Sequence, residues 1–305
     1  KKIKFAFLSF IFLALGASSM QLVLDRGQIL DWFSSNFIIN LTISAVIFLF
    51  LFFLLYFIKS KTLFPKEIFF DSNYLGGLIF VFLFGLLLVP PFILLPDFLS
   101  SLGGYPIDKI GLILTTSGIG GMIGTLIASR LLYYGYYKPL MIIGLFGYMI
   151  GQYYMTLWNS DVTMNMMIIN GIIRGTGIGL FYPALATATY VSLPSKFRDH
   201  GASLFQFIRN LGSAVAIAII VILMDRFYKT NMSELSYRVK DNYNQNEGLF
   251  HNYNIYPLSI NDTNYFIKLI AEESHLISFV NIMYILTFLP LIFFPFFLLF
   301  KSKQR

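Results

Sequence analysis

Eight apolar runs, each long enough to cross a bilayer, leave this chain few folds to choose from. They cover residues 5–24, 37–58, 75–99, 110–128, 140–157, 164–193, 202–224 and 276–300. A helix needs about 20 apolar residues to traverse about 30 Å of hydrocarbon. In lipid, only helices and closed barrels satisfy every backbone N–H and C=O. Continuous runs of this length predict an all-α fold, a polytopic membrane helix bundle with eight transmembrane helices and the lipid bilayer as its solvent. Composition excludes the alternatives. Only 12% of the 305 residues are charged and 57% are hydrophobic, against about 25% charged in a soluble domain. Such a chain cannot cover the surface of a water-soluble enzyme, and it is far too apolar to be disordered. It has no cysteine, which removes disulfides, thiolate metal sites and cysteine nucleophiles.

Lysine and arginine set the expected orientation. With both ends of the chain cytoplasmic, the inner segments hold 13 basic residues, and the short outer loops hold only Arg26 and Lys109. This is the asymmetry of the positive-inside rule. The net charge of +7 is therefore read as topology, with no nucleic-acid partner. The basic start followed by FAFLSFIFLALGASS also fits a secretory signal peptide, but cleavage would strand the new amino terminus outside and spoil the bias. The chain begins at Lys1 rather than methionine, which reads as a fragment or trimmed piece. Pro90, Pro91 and Pro96 fall inside the third run, where a kink is expected. Residues 225–275, rich in Asn and Tyr, are expected to form an extracytoplasmic loop with a short helix near residues 264–273. The triplets NMS and NDT in that loop match glycosylation acceptors but arise easily in Asn-rich sequence.

Within the spans, small residues recur at helical spacing. Gly171, Gly175 and Gly179 form a seam on the sixth run, Gly120 and Gly124 on the fourth, Gly147 and Gly151 on the fifth. Such seams let membrane helices approach closely. The string SGIGGMIG lacks the preceding strand that a dinucleotide fingerprint requires.

Two arginines are the sharper signal. Arg174 lies about 15 Å into the sixth span, where a charge costs at least about 2.5–3.5 kcal/mol and should face the bundle interior or a wet cavity. Asn170 lies one turn before it. On the seventh span Ser203, Gln206, Arg209, Asn210 and Ser213 make a polar stripe. Asn170, Arg174, Gln206, Arg209 and Asn210 are therefore the candidate substrate-binding residues. Structural roles compete: Arg209 is close enough to the inner end to snorkel or to clamp backbone carbonyls, and either arginine could serve as structural glue. The histidines His200, His251 and His275 lie in loops or at a span end, so no metal or cofactor site is expected. No span carries the paired acid and base or the nucleophile set of an enzyme.

The residues then resemble a known family. SMQLVLDRGQILDWFSS, residues 19–35, looks like the hairpin that follows the first six helices of EmrB/QacA-type drug:proton antiporters, the fourteen-span branch of the major facilitator superfamily. RGTGIGLFYPALATATYVSLP and GASLFQFIRNLGSAVA are similar to that family's RG-x-G-x-G-x-x-x-P helix and the following helix with R-x-x-G. The resemblance covers essentially the whole chain, but only the carboxyl-terminal part of a family member. It implies a division into residues 1–60, two linker helices between bundles, and residues 61–305, the six-helix carboxyl-terminal bundle with extracytoplasmic loop 225–275, built from inverted three-helix repeats. It also implies export of hydrophobic or amphipathic drugs from a bacterial cytoplasmic (inner) membrane, with the proton gradient as energy source and no cofactor. The implied partners are an absent amino-terminal six-helix bundle and, in Gram-negative members, a periplasmic adaptor and an outer-membrane channel. One motif departs from the family: the inner loop SRLLYYGYYKP keeps only Arg130 of the usual basic, aspartate-containing pattern. The alternative is a non-transporting membrane subunit, or scaffold, that binds a partner helix bundle or adaptor.

Overall fold

The computed structural model describes residues 7–58, 63–101, 104–159, 162–245 and 260–297, and every regular element among them is helical. In chain order the main helices are α1 (Phe7–Arg26), α2 (Asn36–Ile58), α3 (Ser72–Leu88), α4 (Pro90–Ser101), α5 (Ile107–Leu132), α6 (Tyr137–Thr156), α7 (Met164–Tyr190), α8 (Arg198–Gln245) and α9 (Ile260–Phe288). Short 3-10 turns join several of them, and Leu289–Ile292 and Phe293–Phe296 continue the line of α9. The predicted end of the last run, residues 298–300, lies outside the described residues.

Six stretches are long and apolar enough to cross a membrane: Phe7–Arg26, Asn36–Ile58, Ser72–Ser100, Ile107–Leu132, Ser195–Val239 and Phe266–Pro295. The chain is a multi-pass membrane protein. The other two predicted runs are also helices, α6 of 20 residues and α7 of 27. Their hydropathy is diluted by residues that serve packing: glycines, tyrosines, Gln152, Asn170 and Arg174, of which Gln152, Asn170 and Arg174 are buried. Helix α7 packs against α3, α5 and α6, and a helix enclosed by protein has little need to be greasy all round.

The third run breaks where its prolines predict. Helix α3 ends at Leu88 and α4 starts at Pro90. Pro91 has no N–H for the carbonyl four residues earlier, that of Leu87. At the other end, Asp71 caps α3 by accepting from the backbone N–H groups of Asn73 (2.9 Å) and Tyr74 (3.0 Å), as an N-cap aspartate does. Gly135, with φ of 83°, makes the α5–α6 turn in a conformation that a side chain would strain.

One expectation for residues 225–275 is corrected. Helix α8 runs unbroken to Gln245 and α9 begins at Ile260, so most of the described part of the expected loop is helical hairpin. The short helix expected near residues 264–273 is the start of this longer one. No glycine or proline occurs between Gly212 and Gly248 to stop α8. Ion pairs one turn apart, Asp225–Lys229 (2.7 Å), Glu234–Arg238 (2.6 Å) and Lys268–Glu272 (3.8 Å), support the exposed surfaces. The hairpin is closed by Asn231 Nδ2 donating to Ser278 Oγ (2.9 Å). Asn231, the asparagine of NMS, is thus engaged in helix packing. The Asn-rich stretch 246–259 lies outside the described residues.

The glycine seams do what small residues do in lipid. On one face of α7, Gly171 meets Thr116, Gly175 meets the Ser117 carbonyl and Gly179 meets the Gly121 carbonyl. From α5, Gly120 and Gly124 face the Ile172 and Thr176 carbonyls. A second face of α7 carries Gly177 and Arg174 against α6, where Gly151 lies under Arg174 and Gly144 and Gly147 lie against Gly177. Except at Gly147, where the nearest atom would be 3.3 Å away, these approaches are close enough that an added Cβ would overlap the opposing helix.

Candidate functional site

The five candidate residues form two groups in different surroundings. Asn170 and Arg174 are buried where α5, α6 and α7 meet, with 5% and 1% of their surface exposed. Arg174 Nη2 donates to Ser117 Oγ at 2.8 Å, and Nη1 donates to Met155 Sδ at 3.3 Å. The Phe92 ring centre is 5.7 Å from the guanidinium, a cation–π distance. Its Nε finds no partner among the described residues. Asn170 Nδ2 donates to the Gly151 carbonyl at 2.6 Å, tying α7 to α6. This group joins α4, α5, α6 and α7 through one cation and one amide.

The second group is presented outward. Gln206 and Asn210 are exposed on α8, with Arg209 half-buried between them. Arg209 Nη1 donates to Tyr182 Oη (3.3 Å), and that hydroxyl donates to Gln206 Oε1 (3.1 Å). Arg209 Nη2 donates to Asn210 Oδ1 at 3.2 Å. The guanidinium also lies 5.6 Å from the Tyr182 ring centre. The ring is itself held on α7 by stacking on Phe84 of α3, at 5.3 Å and 24°. Below this cluster α3 and α8 are in tight contact: Gly85 abuts the Arg209 carbonyl, Gly212 abuts the Phe82 carbonyl, and Ser213 Oγ donates to the Gly85 carbonyl at 3.4 Å. The result is a polar surface with one cation, two amides and a phenol, contributed by α7 and α8.

Tyr182 was not singled out from the sequence, although it stands in the quoted RGTGIGLFYPALATATYVSLP segment. A polar-tipped aromatic next to Pro183 was the available signal. Ser117, the partner of Arg174, was also missed; it ends the polar triplet Thr115-Thr116-Ser117 on the fourth run.

A family model described as "Sugar (and other) transporter" matches residues 100–239. The multidrug export protein EmrB of Haemophilus influenzae is 23% identical over 88% of this chain and 53% of its own length. The expected kinship with EmrB-type transporters is borne out. Two Escherichia coli proteins agree with it: the probable multidrug resistance protein EmrY, 26% identical over 73% of this chain and 44% of its own, and EmrB, 26% identical over 68% and 41%. The chain spans about half the length of the curated relatives it matches. The matched residues 100–239 take in both polar groups and the α5–α7 glycine seams.

Proposed function

We propose that this chain is the carboxyl-terminal part of a proton-coupled exporter of hydrophobic or amphipathic compounds, and that Gln206, Arg209 and Asn210, with Tyr182, line its cargo path. The observation that carries the reading is the exposed polar face of α8. A cation and two amides on a membrane helix belong in a water-filled cavity or against other protein, because hydrocarbon cannot solvate them. The relatives are about twice as long as this chain, and in this reading a corresponding partner half forms the opposite wall. Arginine on that wall favours anionic or zwitterionic cargo, or stabilises a carboxylate across the cavity in its charged form.

In this reading the chain crosses the membrane eight times, α3 and α4 counting as one broken span, with both ends cytoplasmic. The charge bias of the connections supports the orientation. Residues 1–60 are the linker helices and residues 61–305 the bundle. The α8–α9 hairpin then stands on the extracytoplasmic side, where a periplasmic adaptor leading to an outer-membrane channel would dock. Asn170 and Arg174 serve as an internal clamp that keeps α6 and α5 on α7 while the bundle rocks.

The test is export by the full-length parent of a fluorescent amphipathic dye. Arg209→Ala should lower the initial export rate with normal protein in the membrane. Wild-type rates in both Arg209→Ala and Gln206→Ala would overturn the site assignment.

A further inference from the structure

The linker hairpin leaves a slot where it meets the bundle. Leu13 of α1, Leu49 and Phe52 of α2, and Phe207, Ile208 and Leu211 of α8 line a cavity of about 510 Å³. Every lining side chain is apolar or aromatic except at one end, where Lys66 stands beside Tyr56 with its ammonium 5.8 Å from the ring centre. Lys66 is exposed, and no carboxylate pairs with it among the described residues. It follows α2 in a connection that also holds Lys59 and Lys61 in sequence.

An apolar cavity of this kind does not fill with water. In a membrane the abundant apolar filler is an acyl chain, and Lys66, the charged side chain among the lining residues, selects the charge of its headgroup; the Glu67 carboxylate, which also acts on Tyr56, is not part of the lining. Basic pockets between membrane helices bind anionic headgroups on this principle. We propose that the slot is a specific phospholipid site, holding one acyl chain of an anionic phospholipid between the linker hairpin and α8, with the phosphate on Lys66. The lipid then acts as mortar between two helical units that are also tied by Gln28 Nε2 to Asp225 Oδ2, at 3.4 Å, and by the edge-on contact of Tyr56 with Phe69.

The experiment uses the full-length parent, purified, stripped of lipid and supplied with spin-labelled phosphatidylglycerol or phosphatidylcholine. The wild type should retain the anionic lipid with roughly fivefold preference, the effect of one lysine at the membrane surface. Lys66→Gln, a surface change that leaves the fold intact, should bring the two lipids to parity. Ala17→Phe places a ring in the slot and should abolish the tightly held fraction of both. Equal retention of the two lipids by the wild type, or an unchanged preference in Lys66→Gln, would overturn the proposal. Displacement of the label by free palmitate at equal concentration would also overturn it, by assigning the slot to a single-chain acid.

Discussion

The Tyr148 hydroxyl of α6 donates a 2.7 Å hydrogen bond to the Leu87 carbonyl of α3, the acceptor that Pro91 leaves without a helical donor. A break that would expose a bare carbonyl in the core is thereby closed by a side chain from another helix. Breaks in membrane helices persist where a neighbour re-satisfies the freed group.

Tyr148→Phe should therefore destabilise the bundle by about 1–2 kcal/mol, the cost of a buried acceptor without a donor. Pro91→Ala restores a backbone N–H at the same carbonyl. Thermal unfolding in detergent should show the double variant losing less stability than Tyr148→Phe alone. Strict additivity of the two changes would contradict the account.

The two arginines should fail in different ways. Arg174 is enclosed by Ser117, Met155 and Phe92, so Arg174→Ala removes packing and leaves a void at the α5–α6–α7 junction. Such losses in cores cost about 2–5 kcal/mol. Arg209 lies on the open face, and its removal should leave folding nearly untouched. Quantifying membrane-inserted protein beside export rate separates them: Arg174→Ala should lower the amount, Arg209→Ala the rate per molecule.

Glycines of one composition should divide by what faces them. Gly175→Ala and Gly179→Ala place a methyl against the Ser117 and Gly121 carbonyls and should cost about 1–3 kcal/mol by overpacking. Gly118 has open space where a Cβ would sit. Gly118→Ala should be neutral or stabilise the helix by about 0.5–1 kcal/mol. Equal melting temperatures across the three variants would count against the seam.

The hairpin of α8 and α9 is open to a chemical test because the chain contains no cysteine. Asn231→Cys paired with Ser278→Cys replaces side chains whose polar atoms lie 2.9 Å apart. Mild oxidation should join them within the hairpin, seen as a mobility shift reversed by reductant. Failure to crosslink, with both thiols free to label, would place the end of α8 elsewhere.

Most helices were legible because lipid imposes a simple demand, an apolar run of bilayer length. The kink at Pro90 and Pro91 and the close approaches of Gly120, Gly124 and Gly175 were legible for the same reason: they follow from one residue's own shape. The extension of α8 to Gln245 was not read. Apolar periodicity stops near Met224, and helix beyond it depends on one-turn ion pairs and on packing against α9, which a hydropathy pattern does not register.

The polar groups mark the boundary between the two kinds of information. Arg174 and Arg209 are alike in the chain: each is a cation inside an apolar run, near an asparagine and a glycine. Sequence alone settled that both must avoid hydrocarbon, since the cost of a buried charge is local to the residue. Which one is enclosed and which is presented outward depended on assembly. Helix α7 turns its Arg174 face into α5 and α6 through glycines that let the backbones touch, whereas α8 packs on α3 through Gly85 and Gly212 and leaves its Gln206–Asn210 face uncovered. Side-chain role here follows from which helix lies alongside, and that is a property of the packed bundle.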